Sequence, residues 1–302
     1  MNILIAGGSG MIGTALTRSF LADGHPVWVL TRSPGRASLP KGATAVGWDG
    51  QTSAGWGELV GQLDAVVNLV GESLSRWPWT KPHKQRLWDS RVQSGRAITQ
   101  AIQAASPRPK VLVQASGVNY YGPHGLEPVS EAEGAGQDFL AGLCQAWEAS
   151  TQPVESLGVR RVVIRSAVVL SAREGILPVM LLPVRLFAGG PLGSGRQGLA
   201  WIHLADEVAA IRFLLENPNA RGPYNLTTPD PISSAEFFRT AARLLRRPFW
   251  LPAPAFALRL ALGGMATLVL DGMYLRPARL QELGFAFRFA NLEAALSDLL
   301  IK

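Results

Sequence analysis

Three of the four glycines at residues 7–13 have the spacing of a phosphate-binding turn. They follow the apolar segment Ile3–Ala6 and precede a stretch with helical spacing. Glycines here let bare backbone approach a pyrophosphate, while the start of the next helix supplies N–H groups and a partial positive charge. An ordinary strand–helix turn seldom needs three. The sequence therefore predicts a dinucleotide site made by Gly7, Gly8, Ser9, Gly10, Met11, Ile12 and Gly13.

The residues after the second predicted strand indicate which dinucleotide fits. Proteins that bind NAD usually place Asp or Glu there, to bond the ribose 2′-hydroxyl. This chain has Thr31 and Arg32 instead. Because a guanidinium can hold a 2′-phosphate with two charge-assisted hydrogen bonds, the pattern favours NADP(H). The alternative for Arg32 is a solvated surface arginine.

Two further segments lie where the ligand crevice of a parallel sheet is expected, at the carboxyl ends of strands. Leu69, Val70 and Gly71 end one strand and are placed to contact adenosine, although plain packing is an equal alternative. Residues 76–81 combine Arg76, two tryptophans and Lys81. They indicate either a loop over the crevice mouth or tryptophans packed beneath a loop.

These residues depend on a regular alternation of strands and helices over the first two-thirds of the chain. The alternation predicts an α/β fold with a doubly wound parallel Rossmann sheet. Helices are predicted over about 87–105, 139–157 and 206–215, with a capping box at Ser233 and Glu236 opening another. The predicted strands are Ile3–Ala6, Val27–Thr31, Thr44–Trp48, Ala65–Leu69, Val111–Ala115, Val162–Val169 and Tyr224–Leu226.

The chain changes character after the sixth predicted strand. Residues 170–200 are rich in Gly and Pro and are predicted to leave the sheet and contribute to a cap. We expect a Rossmann domain over 1–226 and a smaller, mainly helical cap or substrate domain over 227–302. Ala261–Leu270 is too short for a membrane span, which needs about 20 apolar residues, and is predicted to be a buried helix.

Charge and cysteine content limit the classes of ligand and the cellular compartment that we expect. The formal net charge is +7, but the basic residues form no long run, which favours a phosphorylated ligand over nucleic acid. No cluster of His, Asp and Cys has metal-ligand spacing, so no metal is expected. Cys144 is the only cysteine, so an intramolecular disulfide is impossible and a reducing compartment such as the cytoplasm is expected.

Several stretches, in order along nearly the whole chain, resemble one protein family. They include the glycine turn, Asp64–Gly71, Ala115–Ser116 with Tyr120–Gly122, Gly189–Gly195 and Trp201–Asp206. The chain resembles an extended short-chain dehydrogenase/reductase of the atypical "epimerase family protein" branch. These are cell-division-inhibitor-like NAD-dependent epimerases/dehydratases with a C-terminal domain of unknown function. The resemblance implies NADP(H) contacts at Thr31, Arg32, Leu69, Val70 and Arg91. Arg91, predicted to open a helix beside the crevice, is otherwise a solvated arginine.

The usual catalytic pair of that family is missing. Its sugar-processing members use a Tyr and a Lys four residues later, with a Ser from the preceding strand end. This sequence has no Tyr-x-x-x-Lys; anchoring the helix on Glu148 puts Leu140 in the Tyr position and Cys144 in the Lys position. The remaining catalytic candidates are Ser116, one residue before the usual serine position, and Tyr121. Packing is the favoured role for Tyr121 and Cys144.

Three functions therefore stay open. The first is an NADP-dependent oxidoreductase or epimerase with non-standard acid–base residues, acting on a carbonyl or nucleotide-sugar-like substrate. The second is a catalytically silent NADP(H)-binding regulatory or scaffold protein, cell-division or redox-linked, whose C-terminal region docks a protein partner. The third is binding of nucleic acid or an anionic membrane surface through the positive charge.

Overall fold

The protein, described by a computed structural model over residues 1–301, is built around one parallel sheet. Its strands are β1 Ile3–Ala6, β2 Val27–Thr31, β3 Thr44–Gly47, β4 Ala65–Asn68, β5 Val111–Gly117, β6 Arg160–Ser166, β7 Val168–Leu170, β8 Trp201–His203 and β9 Gly222–Leu226. Seven of them form a sheet in the order β3-β2-β1-β4-β5-β6-β9, with every neighbouring pair parallel. The remaining two, β7 and β8, pair separately.

Helices connect and cover these strands. They are α1 Met11–Ala22, α2 Lys81–Ala104, α3 Phe139–Ala149, α4 Leu177–Met180, α5 Leu182–Arg185, α6 Leu204–Glu216, α7 Ser234–Leu244, α8 Ala255–Leu262, α9 Thr267–Leu270, α10 Ala278–Glu282 and α11 Leu292–Leu300. Short 3₁₀ turns occur at Gly57–Gln62, Val118–Tyr121, Gln152–Leu157 and Gly263–Ala266.

The sheet is covered on both faces, which confirms the doubly wound fold. Helices α1 and α6 pack on one face through residues such as Phe20 and Ile211, and α2 covers the other through Ile98 and Ile102. A separate apolar core joins the segment after β7 to the C-terminal region, with Leu177, Trp201, Phe237 and Leu296 among its members. The C-terminal region is helical, as expected, while the domain boundary at residue 226 stays a prediction.

Most strand bounds match the predicted ones within two residues, but the predicted strand Val162–Val169 is wrong as a single element. The chain leaves the main sheet at Ala167, whose N–H still bonds Leu226 O, whereas the N–H of Val168 bonds Ala200 O. Strands β6 and β7 therefore belong to different sheets. Apolar residues continue on both sides of Arg165 and Ser166, so the sequence carries no clear sign of such a transfer.

Two helix bounds also differ from the predicted ones. Helix α2 begins at Lys81, six residues early, because Thr80 caps it by accepting from the N–H of His83. Helix α3 ends at Ala149 and does not continue to residue 157. Pro153 has no N–H to donate, and the following segment forms a 3₁₀ turn. The predicted cap at Ser233 is confirmed, since its Oγ accepts from the N–H of Glu236.

The segment Ala261–Leu270, predicted to be a buried helix, is neither continuous nor buried. It is split among the end of α8, a 3₁₀ turn at Gly263–Ala266 and α9. Helix α8 has no buried residue, and neither has α9. No helix within residues 1–301 has the combined length and apolar character needed to cross a membrane.

Candidate functional site

The glycine turn lies between β1 and α1 and is packed too closely for any side chain. Gly7 has a φ of +83°, and a Cβ there would lie 2.9 Å from the carbonyl carbon and oxygen of Leu69. A Cβ on Gly8 would lie 2.6 Å from a Val29 methyl, and one on Gly13 would overlap Gly7 O and Gly8 Cα. All three positions therefore require glycine.

The same turn leaves the start of α1 open to a ligand. Gly10 caps the helix without a side chain that could accept from the first N–H groups, and the first turn contains no acidic residue. These N–H groups and the positive end of the helix dipole form an anion site. Gly175, beyond β7, lies against the turn, since a Cβ there would be 3.0 Å from the sulfur of Met11.

At the end of β2, Thr31 and Arg32 are adjacent to this turn in the sheet, because β2 pairs with β1. The Oγ1 of Thr31 accepts from the N–H of Ser33. Arg32 is exposed, and within residues 1–301 no carboxylate lies within ion-pair distance of it. Its charge is therefore available to an anion from solution.

The β4 strand end brings Leu69, Val70 and Gly71 to the third side of the turn. The N–H of Leu69 bonds Ala6 O at 2.9 Å, which fixes this segment against β1. Gly71 faces Arg91, because a Cβ on Gly71 would lie 3.0 Å from the guanidinium carbon. The predicted cofactor contacts 69–71 and Arg91 are thus neighbours in space.

Arg91 is buried, which excludes the alternative of a solvated arginine. It lies in the middle of α2, not at a helix start as predicted. Its Nη1 donates to Leu87 O, and its guanidinium stacks 4.9 Å from the Trp147 ring centroid. Burial lowers the pKa of Arg91 to about 10, so the side chain stays charged at neutral pH. No carboxylate within residues 1–301 forms an ion pair with it.

Beyond β5 and β6, a buried network joins most of the polar side chains. Ser116 Oγ donates to Glu148 at 2.7 Å, and Arg165 holds both oxygens of Glu148 at 2.9 Å. Burial alone lowers the pKa of Arg165, but its bonds to Glu148 outweigh this and raise that pKa. Tyr121 Oη donates to Asn225 at 2.7 Å and accepts from Arg165 at 3.0 Å.

This network determines where the two catalytic candidates lie. Tyr121 is 1% exposed, and burial raises the pKa of its hydroxyl. Ser116 points to Glu148 on α3. Gly117, in the usual serine position, has no hydroxyl; a Cβ there would lie 3.8 Å from Cys144 Sγ. Tyr120 stacks on Arg165, whose guanidinium carbon is 3.4 Å from the ring centroid.

Helix α3 presents Leu140, Cys144 and Glu148 on one side, as their spacing requires, and the first two are buried. Burial, together with the charge of Glu148, raises the pKa of the Cys144 thiol to about 11. The thiol is therefore protonated at neutral pH and a poor nucleophile. Neither Leu140 nor Cys144 supplies the proton transfer that Tyr and Lys provide in sugar-processing enzymes.

The aromatic loop before α2, predicted either to cover the crevice or to pack its tryptophans beneath a loop, does some of each. Trp79 packs edge-on against Phe139, and its Nε1 donates to Leu74 O. A Cβ on Gly264 would lie 3.8 Å from Trp79, so this loop touches the C-terminal region. Trp77 is 62% exposed. The loop is thus partly packed and partly open to solvent.

Sequence reasoning missed a buried carboxyl beside the β6 strand end. Ser166 Oγ donates to Glu207 Oε1 at 2.6 Å, and Glu207 Oε2 has no hydrogen-bond partner within residues 1–301. Burial raises the pKa of Glu207 to about 8. The available signal was an acidic residue in an apolar stretch of α6, directly after Asp206. Arg165, central to the buried network, was an equally unusual charge inside an apolar strand.

No group of three or more His, Cys, Asp or Glu side chains within residues 1–301 is arranged to hold a metal ion. His203 caps α6, since its Nδ1 accepts from the N–H of Ala205 at 3.0 Å. It also stacks on Phe289 at 3.9 Å between ring centroids. This agrees with a capping or packing role for His203.

Comparison with known proteins matches two family models to different parts of the chain. The model of the "NAD dependent epimerase/dehydratase family" matches residues 3–227, and that of a domain of unknown function, DUF1731, matches residues 253–299. The epimerase family protein YfhF of Bacillus subtilis is 39% identical over 302 residues, covering 99% of this chain and 98% of the relative.

Solved structures of other proteins have a similar fold. The human epimerase family protein SDR39U1, solved with NADPH, superposes with a TM-score of 0.87 at 33% identity, covering 99% of both chains. A UDP-glucose 4-epimerase of Thermus thermophilus, in complex with NAD, superposes with a TM-score of 0.77. At 18% identity over 99% of both chains, that second likeness supports the fold alone.

Proposed function

Because the chain belongs to the NAD dependent epimerase/dehydratase family, we propose that it binds NADP(H) and uses it as an oxidoreductase. The observation that carries this proposal is a turn at Gly7, Gly8 and Gly13 where a Cβ at any of the three would overlap neighbouring atoms. A cradle of bare backbone at a helix start fits a pyrophosphate. The NADPH in the human relative's structure supports this choice.

Each cofactor residue has a proposed task. Residues 7–13 hold the pyrophosphate with backbone N–H groups, and Thr31 and Arg32 hold the 2′-phosphate. Leu69, Val70 and Gly71 line the adenosine side. Arg91 supports this arrangement from behind Gly71, because its buried charge has no carboxylate within ion-pair distance in residues 1–301 and a phosphate would offset it.

The bound cofactor supplies a hydride, so the reduced substrate needs a proton from the protein. Ser116 and Tyr121 stay candidates for this role, but each hydroxyl already donates inside the buried network. Either would have to leave its partner first. The substrate class is a carbonyl compound or a nucleotide-linked sugar.

Ser166 and Glu207 form a further candidate pair: the Ser166 hydroxyl also donates, to Glu207 Oε1, but its partner carries a proton that can replace the one Ser166 gives up. Ser166 ends β6 beside Gly117 of β5, at the strand-end edge where the crevice lies. Glu207 keeps its proton at neutral pH, because its pKa is about 8. The Ser166 hydroxyl would protonate the substrate oxygen as the carbonyl π bond opens, and Glu207 would return a proton to Ser166 Oγ.

The test is turnover of NADPH with a panel of aldehydes, ketones and sugar nucleotides, with cofactor binding measured in parallel. The proposal expects oxidation of NADPH with at least one carbonyl compound, at a rate that declines above about pH 8. Glu207→Gln should remove that decline and lower kcat. An intact cofactor affinity without turnover across the panel would contradict the oxidoreductase.

A second candidate is a catalytically silent NADP(H)-binding protein with a protein partner at its C-terminal region. It is favoured by Gly117, Leu140 and Cys144, which together replace the serine, tyrosine and lysine of sugar-processing enzymes. Hydride exchange between NADPH and any carbonyl compound at this site would exclude it. The reducing compartment inferred from the single, unpaired Cys144 applies to both candidates.

A further inference from the structure

One surface of the cap carries large apolar side chains that the fold does not bury. Two segments build it: residues 179–187, in and after α4 and α5, and residues 250–260, ending in α8. We call this surface the cap patch. Its exposed members are Val179, Leu182, Leu186, Phe187, Trp250, Leu251, Phe256 and Leu260.

The two segments of the cap patch lie side by side. Trp250 Nε1 donates to Phe187 O at 2.9 Å, and Gly189 O accepts from the N–H groups of both Trp250 and Leu251. Further along, the N–H of Gly193 bonds Ala253 O, two residues before α8 begins. The exposed side chains of both segments therefore belong to one continuous edge of the molecule.

Helices in the cap patch are apolar on the side that faces solvent. In α4 and α5, Leu177 and Val184 are buried in the cap core, yet Val179 and Leu182 point outward at 62% and 53% exposure. Helix α8 is apolar all round except for Arg259, with Leu260 88% exposed. A helix that is apolar on every side is normally buried or in contact with a membrane.

The charge of the cap patch has one sign. Its two segments, residues 179–187 and 250–260, contain Arg185 and Arg259 and no Asp, Glu or Lys, and Arg246 and Arg247 shortly precede the second segment. Arg185, Arg246 and Arg259 are exposed and, within residues 1–301, have no carboxylate within ion-pair distance. Arg247 stacks over the Phe187 ring at 4.3 Å. An apolar surface among unpaired arginines fits a partner with an apolar interior and an anionic face.

We propose that the cap patch docks the protein onto an anionic lipid bilayer, with Phe256, Leu260 and Trp250 in the interfacial region and the arginines at the headgroups. Tryptophan is enriched at this depth of a membrane. A second copy of the chain is a poorer occupant, because a symmetric contact would bring unpaired arginines of both copies together without a carboxylate. Docking here is independent of the catalytic proposal.

The experiment is co-sedimentation of the full-length protein with vesicles of phosphatidylcholine alone, or mixed in equal parts with phosphatidylglycerol. We expect binding to the mixed vesicles at low salt that weakens as salt rises. Phe256→Ser and Leu260→Ser should each reduce affinity about tenfold. Arg246→Gln should reduce it about fivefold for the anionic vesicles. The matched control is Leu126→Ser, an exposed leucine outside both segments, which should bind like wild type.

NADPH affinity, measured for every variant, shows that the fold is retained; exposed positions leave the core unchanged. Absence of binding to mixed vesicles at low salt would overturn the proposal, and so would wild-type vesicle binding by the Phe256→Ser, Leu260→Ser double variant. Sedimentation velocity tests the alternative occupant. A dimer that the double variant abolishes would show that the cap patch joins two chains instead.

Discussion

The two halves of the strand-end crevice differ in whether their polar groups have partners within the protein. On the β1, β2 and β4 side, no side chain caps the first N–H groups of α1, and within residues 1–301 neither Arg32 nor the buried Arg91 has a carboxylate within ion-pair distance. On the β5 and β6 side, Ser116, Tyr121 and Arg165 bond one another or nearby side chains. Positive charge without a carboxylate nearby indicates a site for an anion. A network whose hydroxyl groups already donate to one another or to neighbouring side chains indicates a structural role.

The comparison teaches that the proposed cofactor site and the proposed absence of the usual catalytic set rest on separate observations. A buried charge without a counter-charge is costly, so the buried Arg91 supports the proposal that an anionic ligand binds in the first half. The second half keeps Glu148 but uses it to hold Arg165 and Ser116.

The largest expected effect is from Gly13→Ala. The added Cβ would overlap Gly7 O and Gly8 Cα, which displaces the phosphate-binding turn. We expect NADPH affinity to fall by about a thousandfold or more in calorimetric titration. Gly35→Ala is the control, because a Cβ there meets no atom within 4 Å. Retained affinity in Gly13→Ala, with an unchanged circular dichroism spectrum, would contradict the role given to this turn.

The next effect concerns stability and Glu207, which is buried on the β6 side of the crevice. In the unfolded chain Glu207 ionises near its ordinary pKa of 4.5, but in the fold it keeps its proton up to about pH 8. Its contribution to the free energy of unfolding is complete below the lower value and is lost as pH rises to the upper one.

Glu207→Gln removes this dependence. Relative to wild type, the variant should gain roughly 3 kcal/mol between about pH 5 and about pH 9, measured by urea unfolding. Glu58→Gln, at an exposed position, is the control. Parallel pH profiles for wild type and Glu207→Gln would show that Glu207 is ionised in the fold.

A smaller effect tests the unpaired charge at the end of β2. Arg32→Ala removes the guanidinium proposed to hold the 2′-phosphate, so NADPH affinity should fall about thirtyfold while NADH affinity stays the same. Arg18→Ala, which removes an exposed arginine from α1, should change neither. An equal loss for both cofactors would mean that Arg32 acts on the turn and not on the phosphate.

The smallest effect concerns Cys144. Because burial raises the pKa of its thiol to about 11, an aromatic disulfide reagent at about pH 8 should label it only after unfolding. Cys144→Ala should leave NADPH affinity unchanged, whereas Cys144→Ser serves as the volume-matched comparison. Rapid labelling of one thiol per native chain would show that Cys144 is accessible and reactive, which would contradict its burial beside the β5 and β6 network.

Sequence alone predicts well the strands that carry the proposed cofactor site. Strands β1 and β2 lie at their predicted bounds, because short apolar runs end there at turn residues. The close packing of Gly13 against Gly7 and Gly8 is local, whereas that of Gly7 against Leu69 depends on the pairing of β1 with β4. Arg91 needed the structure, since only the path of α2 reveals that its side chain is buried beside Gly71.

The β5 and β6 side of the crevice and the cap were less predictable for a physical reason. The bond between Tyr121 and Asn225 joins residues 104 positions apart, and no local pattern encodes such a contact. The exposure of α8 was also missed, because an apolar stretch has the same composition whether the chain covers it or leaves it open. The sequence shows which side chains are apolar and would gain from burial. The tertiary fold determines which of them are buried.

The measurement that tests the account most directly is calorimetric titration of the wild-type protein with NADPH and with NADH under identical conditions. The free N–H groups at the α1 start, with Arg32 beside them, predict one site per chain and tighter binding of NADPH. Failure of NADPH to bind, or tighter binding of NADH, would contradict it.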